Sequence, residues 1–310
     1  MSNLSIGIDF GGTSIKIGVV DGKEIIHEAE RIDPQGWESA MALIDVLADV
    51  VKELCVKYPD IKSVGVGVPG FVDFPTGTIH NLTNVPGWKQ VPLKRTMYER
   101  TGLPCAVEND ANCMAIAEWK LGAGVGYEHL ICMTLGTGVG GGLIVNNQMV
   151  RGAHYAAGEL GQASIDYQGI PGNYNNKGAL EKYVGNNQIA DLVQEKYAAA
   201  GIKKDLVDCF PVNLSQYAKE GCEIALACWD EIACKIASSV ASACWLLNPN
   251  AIVIGGGVAN AGELLFEPFK EHLFAQLNGP FKDGLEIHKA HFSNEAGMLG
   301  AAALSTDLVI

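Results

Sequence analysis

LSIGIDFGGTSIKIGVVDGKEI (residues 4–25) decides the fold, and LICMTLGTGVGGGLIVNNQMV (130–150) repeats it. Each reads as an apolar strand, a glycine turn, a second apolar strand, a tight turn and a third strand. Set 125 residues apart, the two align without a gap: Gly11 falls on Gly136, Ile17 on Gly142, Val20 on Val145, and Asp21-Gly22 on Asn146-Asn147. Asp-Gly suits a two-residue hairpin turn, where positive φ is needed, and Asn tolerates that conformation too. One such unit at the head of each half predicts a duplicated architecture, two similar α/β domains.

The flanking sequence extends this reading. Residues 37–58 read as a helix, 63–70 (SVGVGVPG) as a buried strand, 104–110 (PCAVEND) as another strand and 111–122 as a helix. Further on, 222–249 is a long helix stopped at Asn248-Pro249, and NAIVIGGGVA (250–259) is a strand running into glycines. EAGMLGAAALST (295–306) is a small-residue helix expected to pack back on the first domain. Strands alternating with helices define the α/β class. No low-complexity linker separates the halves. The expected division is 1–118 plus 298–310 as a smaller N-terminal domain, and 119–297 as a larger C-terminal one.

A chain of 310 residues is long enough for two cores. Its net charge of −13 argues against nucleic-acid binding. The start has no secretory-signal pattern, and no apolar run reaches the length of a membrane span. The nine cysteines include no C-x-x-C, which predicts a reduced, cytoplasmic chain. Cys222, Cys228 and Cys234 are spaced by six, so on a helix they share no face and read as small buried residues.

Three glycine clusters carry the chemistry: DFGGTSIK (9–16), LGTGVGGG (135–142) and GGGVA (255–259). Without Cβ atoms the backbone can approach a ligand, and successive amides form an anion site. None matches the P-loop pattern. The first runs into a hairpin rather than a helix, which excludes a dinucleotide fingerprint.

These clusters resemble the first phosphate, second phosphate and adenosine motifs of the actin-like ATPase-domain sugar kinases. With VPG (68–70), NVPGW (84–88), END (108–110) and GELG (158–161), the chain resembles the ROK family over roughly 6–302. The resemblance implies two actin-like (ribonuclease H-like) domains closing over a sugar in an interdomain cleft. It implies ATP and Mg²⁺ as cofactors, a homodimer, and transfer of the γ-phosphoryl group to the 6-hydroxyl of a hexose. NVPGW points to the glucokinase-like members and so to glucose. Fructose, mannose or an N-acylhexosamine are alternatives, as is a catalytically inactive sugar-binding regulator. A DNA-binding repressor of this family would carry a helix-turn-helix ahead of the first loop, and the loop starting at Asp9 leaves no room for one.

The resemblance also assigns residues. Asp110 would be the base that takes the hydroxyl proton. Its competing reading is a helix cap, since Asn109 or Asp110 could satisfy the first amides of the helix at 111. Sugar hydroxyls would meet Gly70 (through its backbone), Asn84, Asn109, Asp110, Glu159, Gln162 and Glu181. The nucleotide side would use Asp9, Gly11, Gly12, Thr13, Lys16, Thr137, Gly138, Gly255 and Gly256. Asp9 would orient Mg²⁺, directly or through water. Lys16 reads equally well as a solvated strand residue, and Trp88 as a core or cleft-lining aromatic.

One departure stands out. The family places a His after GE-x-G and a C-x-C-x₄-C zinc cluster ten residues later. In register, those four positions are Gln162, Gly172, Tyr174 and Ala179. None can supply a thiolate or imidazole, so no zinc is expected. The loop would be ordered instead by Asn173, Asn175 and Asn176, with Tyr174 packed.

Overall fold

The computed structural model describes residues 4–82, 85 and 87–308. Two compact units emerge: Met1–Gly126 with Met149–Ala157 and Phe292–Ile310, and Tyr127–Gln148 with Gly158–His291. The first crossover comes after the loop that follows the 111–122 helix, not within that helix. The reason is local: Glu118 on the helix accepts from the Ala123 amide at 2.9 Å and from the Phe292 amide at 2.7 Å. One buried carboxylate thus holds both the chain leaving unit 1 and the chain returning to it.

In chain order, unit 1 opens with β1 (Leu4–Phe10), β2 (Ile15–Asp21), β3 (Glu24–Glu28), α1 (Ala40–Lys57) and β4 (Ile61–Val68). A small sheet follows, from β5 (Val72–Asp73), β6 (Thr78–Asn81) and β7 (Lys89–Pro92), then α2 (Leu93–Thr101), β8 (Cys105–Asn109) and α3 (Asp110–Leu121). The main sheet runs β3-β2-β1-β4-β8. The strands β1 and β4 are apolar on both faces, as strands covered on both sides must be. The Ser39 hydroxyl caps α1, whose Leu43, Ile44, Leu47, Val51 and Leu54 supply one buried stripe. Trp88 is buried edge-on to Phe10 at 4.9 Å, so it is a core residue.

Unit 2 contains β9 (Leu130–Leu135), β10 (Val139–Val145), β11 (Gln148–Met149), α4 (Glu181–Val184), α5 (Asn186–Ala199) and α6 (Pro211–Lys219). There follow α7 (Glu223–Leu247), β12 (Ala251–Gly255), α8 (Glu263–Gln276) and β13 (Glu286–Lys289). Its sheet runs β11-β10-β9-β12-β13. This is the unit 1 order strand for strand, with the first hairpin antiparallel and the next strand parallel in both. The duplication read from the sequence is therefore a duplication of sheet topology. One detail differs. Asn146 and Asn147 form the second hairpin turn, both with positive φ. The first turn falls one residue later than expected, on Gly22-Lys23, with Gly22 taking positive φ. A bulge between Val19 and Val20 absorbs the shift.

The last helix, α9 (Ala296–Thr306), belongs to unit 1. It can lie directly on the sheet because a lane of small residues crosses four strands: Gly18, Gly7, Gly65 and Ala106 are paired in register. A Cβ on Gly7 would come within 2.0 Å of the Met298 carbonyl oxygen, and one on Gly65 within 1.8 Å of that of Ala301. Among the described residues, no helix is long and apolar enough to cross a membrane.

Candidate active site

In unit 1 the strands β1, β4 and β8 are parallel neighbours, so their carboxyl ends share one edge. Ligands of open α/β sheets bind at such edges. Three expected elements emerge there together: the Asp9–Lys16 loop, Gly70 and the END segment. The side-chain amide of Asn109 donates to the Gly70 carbonyl at 3.1 Å, joining two of the expected sugar contacts. Gly70 itself has φ 115°, open to glycine and strained for other residues.

The capping question resolves within this segment. Asn109 is the N-cap of α3, its Oδ1 accepting from the amides of Ala111 at 2.9 Å and Asn112 at 3.1 Å. Asp110 is the first helical residue. Its Oδ1 shares the Ala111 amide at 2.9 Å, but the helix start does not depend on it. Asn84 lies outside the described residues.

Asp9 and Lys16 face each other across the β1–β2 hairpin. Lys16 Nζ donates to Asp9 at 3.2 Å and to the Asn294 carbonyl at 2.9 Å, so it is a tethered cation rather than a solvated one. The Asp9 carboxyl also lies against Gly297 in the first turn of α9, where a Cβ would fall 2.8 Å from it. The amide of Gly11 turns inward, to the carbonyls of Asp9 and Ser14, and closes the loop. Gly12 and Thr13 form the tip, with Thr13 exposed.

Unit 2 repeats the arrangement. The strands β9 and β12 are parallel neighbours, so the Gly136–Gly138 loop and the Gly256–Gly257 turn leave the same edge. A Cβ at Gly136 or Gly257 would meet nothing within 4 Å, leaving that backbone open to a ligand. Thr137 is exposed between them in sequence. Gly255 and Gly256 are constrained from within: a Cβ on Gly255 would approach Ala290 at 2.9 Å, and one on Gly256 the Leu135 carbonyl oxygen at 2.2 Å.

Glu181 is the hub of the second half of the unit 2 site. It accepts from the Val139 amide at 3.0 Å, from Asn173 Nδ2 at 2.9 Å and, more weakly, from Gln162 Nε2 at 3.5 Å. Gly138 packs on the same carboxylate, 2.4 Å from where its Cβ would stand. Asn176 Nδ2 donates to the Gln162 carbonyl at 2.9 Å. Of the four positions of the family's zinc set, Gln162 and Gly172 are joined by hydrogen bonds and Ala179 is fully buried. Tyr174 departs from expectation and is exposed, while Asn173 and Asn176 hold the loop through their side-chain amides. Among the described residues, no group of three or more His, Cys, Asp or Glu could hold a metal ion. Much of Glu159 faces solvent. Partial burial of its carboxyl still raises its pKa above the ordinary value, and the Glu181 charge adds to this.

Two residues that the sequence did not single out, Glu108 and Arg151, form an ion pair at 2.7 Å beside this segment. Glu108 is part of END, which could have flagged it. Arg151 sits among small residues with no spacing signal.

Comparison with known proteins matches the same span. The ROK family profile matches residues 5–307. Among its relatives, a glucokinase of Streptomyces coelicolor is 31% identical, with 98% of each chain covered. A glucokinase of Halalkalibacterium halodurans is 34% identical, covering 96% of this chain and 94% of that one. Among solved structures, a ROK family glucokinase from Streptomyces griseus in complex with glucose and AMPPNP superposes with a TM-score of 0.80 at 29% identity, covering 98% of this chain and all of that one. A family profile matched over nearly the whole length, and relatives at 31% and 34% identity covered almost completely, place the chain in the ROK family.

Proposed function

We propose that this protein is an ATP-dependent hexose kinase that transfers the γ-phosphoryl group to the 6-hydroxyl of glucose, with Asp110 as the base. One observation carries the reading: Asn109 caps α3 and donates to the Gly70 carbonyl, so Asp110 starts the helix at the sheet edge where the expected sugar contacts meet. The full-length likeness to glucokinases supports glucose as the acceptor.

The residues present fit the implied cofactors. Asp9 offers a single carboxylate, about one-fifth exposed and aimed by Lys16, which suits a Mg²⁺ ion that keeps most of its waters. The backbone around Gly136 and Gly257, open where a side chain would stand, suits the approach of a nucleotide's phosphates. When bound, Mg²⁺ would neutralise charge on the transferring phosphoryl group. The chain's own work is positional. Asn109 and the Gly70 carbonyl orient the sugar, Glu159 and Gln162 bind hydroxyls, and Asp110 takes the proton of the attacking hydroxyl at its carboxylate. Glu181 ties the sugar loop to the Gly138 turn. Zinc has no part in this reading, since Gln162, Gly172, Tyr174 and Ala179 replace its ligands. The family's homodimer belongs to it.

The test is coupled ADP release with ATP and Mg²⁺ across glucose, fructose, mannose and N-acetylglucosamine, with metal content measured on the same sample. Glucose is expected to give the highest kcat/KM from protein containing well under one zinc per chain. Absence of hexose-dependent ADP release with every sugar would overturn the kinase, and stoichiometric zinc the zinc-free site.

Glu159 gives a second test. Its raised pKa means that the folded chain holds this proton more tightly than the unfolded chain. The associated stabilisation is complete below the ordinary carboxylate pKa and is lost as pH rises through the folded value. At pH 7 the ionised group therefore costs stability. Glu159→Gln should melt no lower than the wild type at pH 7, yet bind glucose about 10- to 100-fold more weakly, as the loss of a charged hydrogen bond requires. Unchanged affinity would remove Glu159 from the sugar site.

A further inference from the structure

Glu108 opens the END segment, and its side chain is 2% exposed. A buried carboxylate needs partners, and Glu108 has three. Its Oε1 accepts from the Asn109 amide at 2.9 Å and from Asn112 Nδ2 at 3.1 Å. Its Oε2 accepts from Arg151 Nε at 2.7 Å. The Arg151 guanidinium in turn lies over the Phe74 ring, 3.6 Å from its centroid. Arg151 is thus fixed in two ways, by charge at one edge and by an aromatic face.

The placement matters because Glu108 and Asp110 are separated by one residue at the strand-to-helix junction. An unneutralised Glu108 would oppose ionisation of Asp110. Asp9 and its partner Lys16 also carry charge near this junction, and β5, which packs on β8, carries Asp73. The α9 helix, packed on α3, β1 and β4, carries no charged side chain over 296–306, and the one charge on β4, Lys62, lies near that strand's far end. Cys113, a turn into α3, registers the same field. Burial pushes its thiol up, Glu108, Asp110 and Asp9 push the same way, and Arg151 opposes them.

We propose that Arg151 is a positioning residue for the phosphoryl-transfer base: by neutralising Glu108 and fixing the first turn of α3, it keeps Asp110 ionised and aimed at neutral pH. This rests on the kinase reading above, with Asp110 as base.

The experiment is the pH profile of kcat, by ADP release with glucose, for the wild type, Arg151→Met, Arg151→Lys and the double variant Glu108→Gln/Arg151→Met. In Arg151→Met the acidic limb should move to higher pH by about one unit, the size of effect an adjacent opposite charge exerts. KM for glucose should change far less than kcat. Arg151→Lys should return the limb towards the wild-type position, and so should the double variant, which removes both charges. A limb that stays in place while activity or melting temperature falls would reduce Arg151 to a structural tie and overturn the proposal. Should Arg151→Met fail to fold, the isosteric Glu108→Gln keeps the test alive. It must move the limb to lower pH, and an unmoved limb there overturns the proposal equally. A wild type without hexose-dependent ADP release would instead sink the kinase reading, so the two failures are distinguishable.

Discussion

Asp110→Asn is expected to bind glucose and nucleotide with near-native affinity while kcat falls by about 10²- to 10⁴-fold, the usual contribution of a positioned base. The substitution is close to isosteric, and the structure indicates why it should be silent in folding. The cap of α3 is Asn109, whose Oδ1 holds two amides, so the helix start survives without the Asp110 charge. Asn at 110 can still accept from the Ala111 amide through its own oxygen. What it lacks is a basic oxygen for the hydroxyl proton. Titration calorimetry for both ligands, beside single-turnover ADP formation, separates binding from chemistry. Turnover within a few-fold of wild type would show that Asp110 is merely an accessory to the cap.

Gly65→Ala should be among the most damaging single-methyl changes in unit 1. The new Cβ would stand 1.8 Å from the Ala301 carbonyl oxygen and 2.3 Å from its carbon, and backbone cannot swing aside as a flexible side chain can. Either α9 lifts from the sheet or β4 shifts against β1 and β8. Overpacking of this kind typically costs about 1–3 kcal/mol and here should reach or exceed the upper end. A fall in melting temperature on the order of 10 °C follows. Thermal denaturation followed by circular dichroism tests it, and a melting point indistinguishable from wild type would mean that α9 is held less tightly than the glycine lane indicates.

Local signals made most of the fold legible. The duplicated strand–loop–strand pattern is set by neighbours in sequence, and it specified the hairpin at the head of each sheet. The small-residue helix 295–306 announced a close approach by composition alone, and the glycines beneath it supply the matching surface. The unread features are those that depend on distant partners. Glu108 looks like an ordinary strand carboxylate until Arg151, far along the chain, is placed beside it. The strands β5, β6 and β7 are too short for periodicity to mark them. The hairpin turn at Gly22-Lys23 slipped by one because a bulge, not turn chemistry, set its position. In the candidate site, Asn109 and Gly70 could be read from motifs, whereas the convergence of Val139, Asn173 and Gln162 on Glu181 required the fold.

The helix α9 has a consequence for how the protein is made. Unit 1 takes its sheet from the first part of the chain and the helix lying on that sheet from the very end. Synthesis delivers the Gly18–Gly7–Gly65 lane early and its cover last. The intervening unit, Tyr127–His291 apart from Met149–Ala157, is synthesised before α9 exists. The oldest sheet is therefore the last to be completed, reversing the usual amino-terminal-first order of domain maturation. A stop codon just ahead of Ala296 would spare everything that precedes α9 and still leave that sheet without its cover.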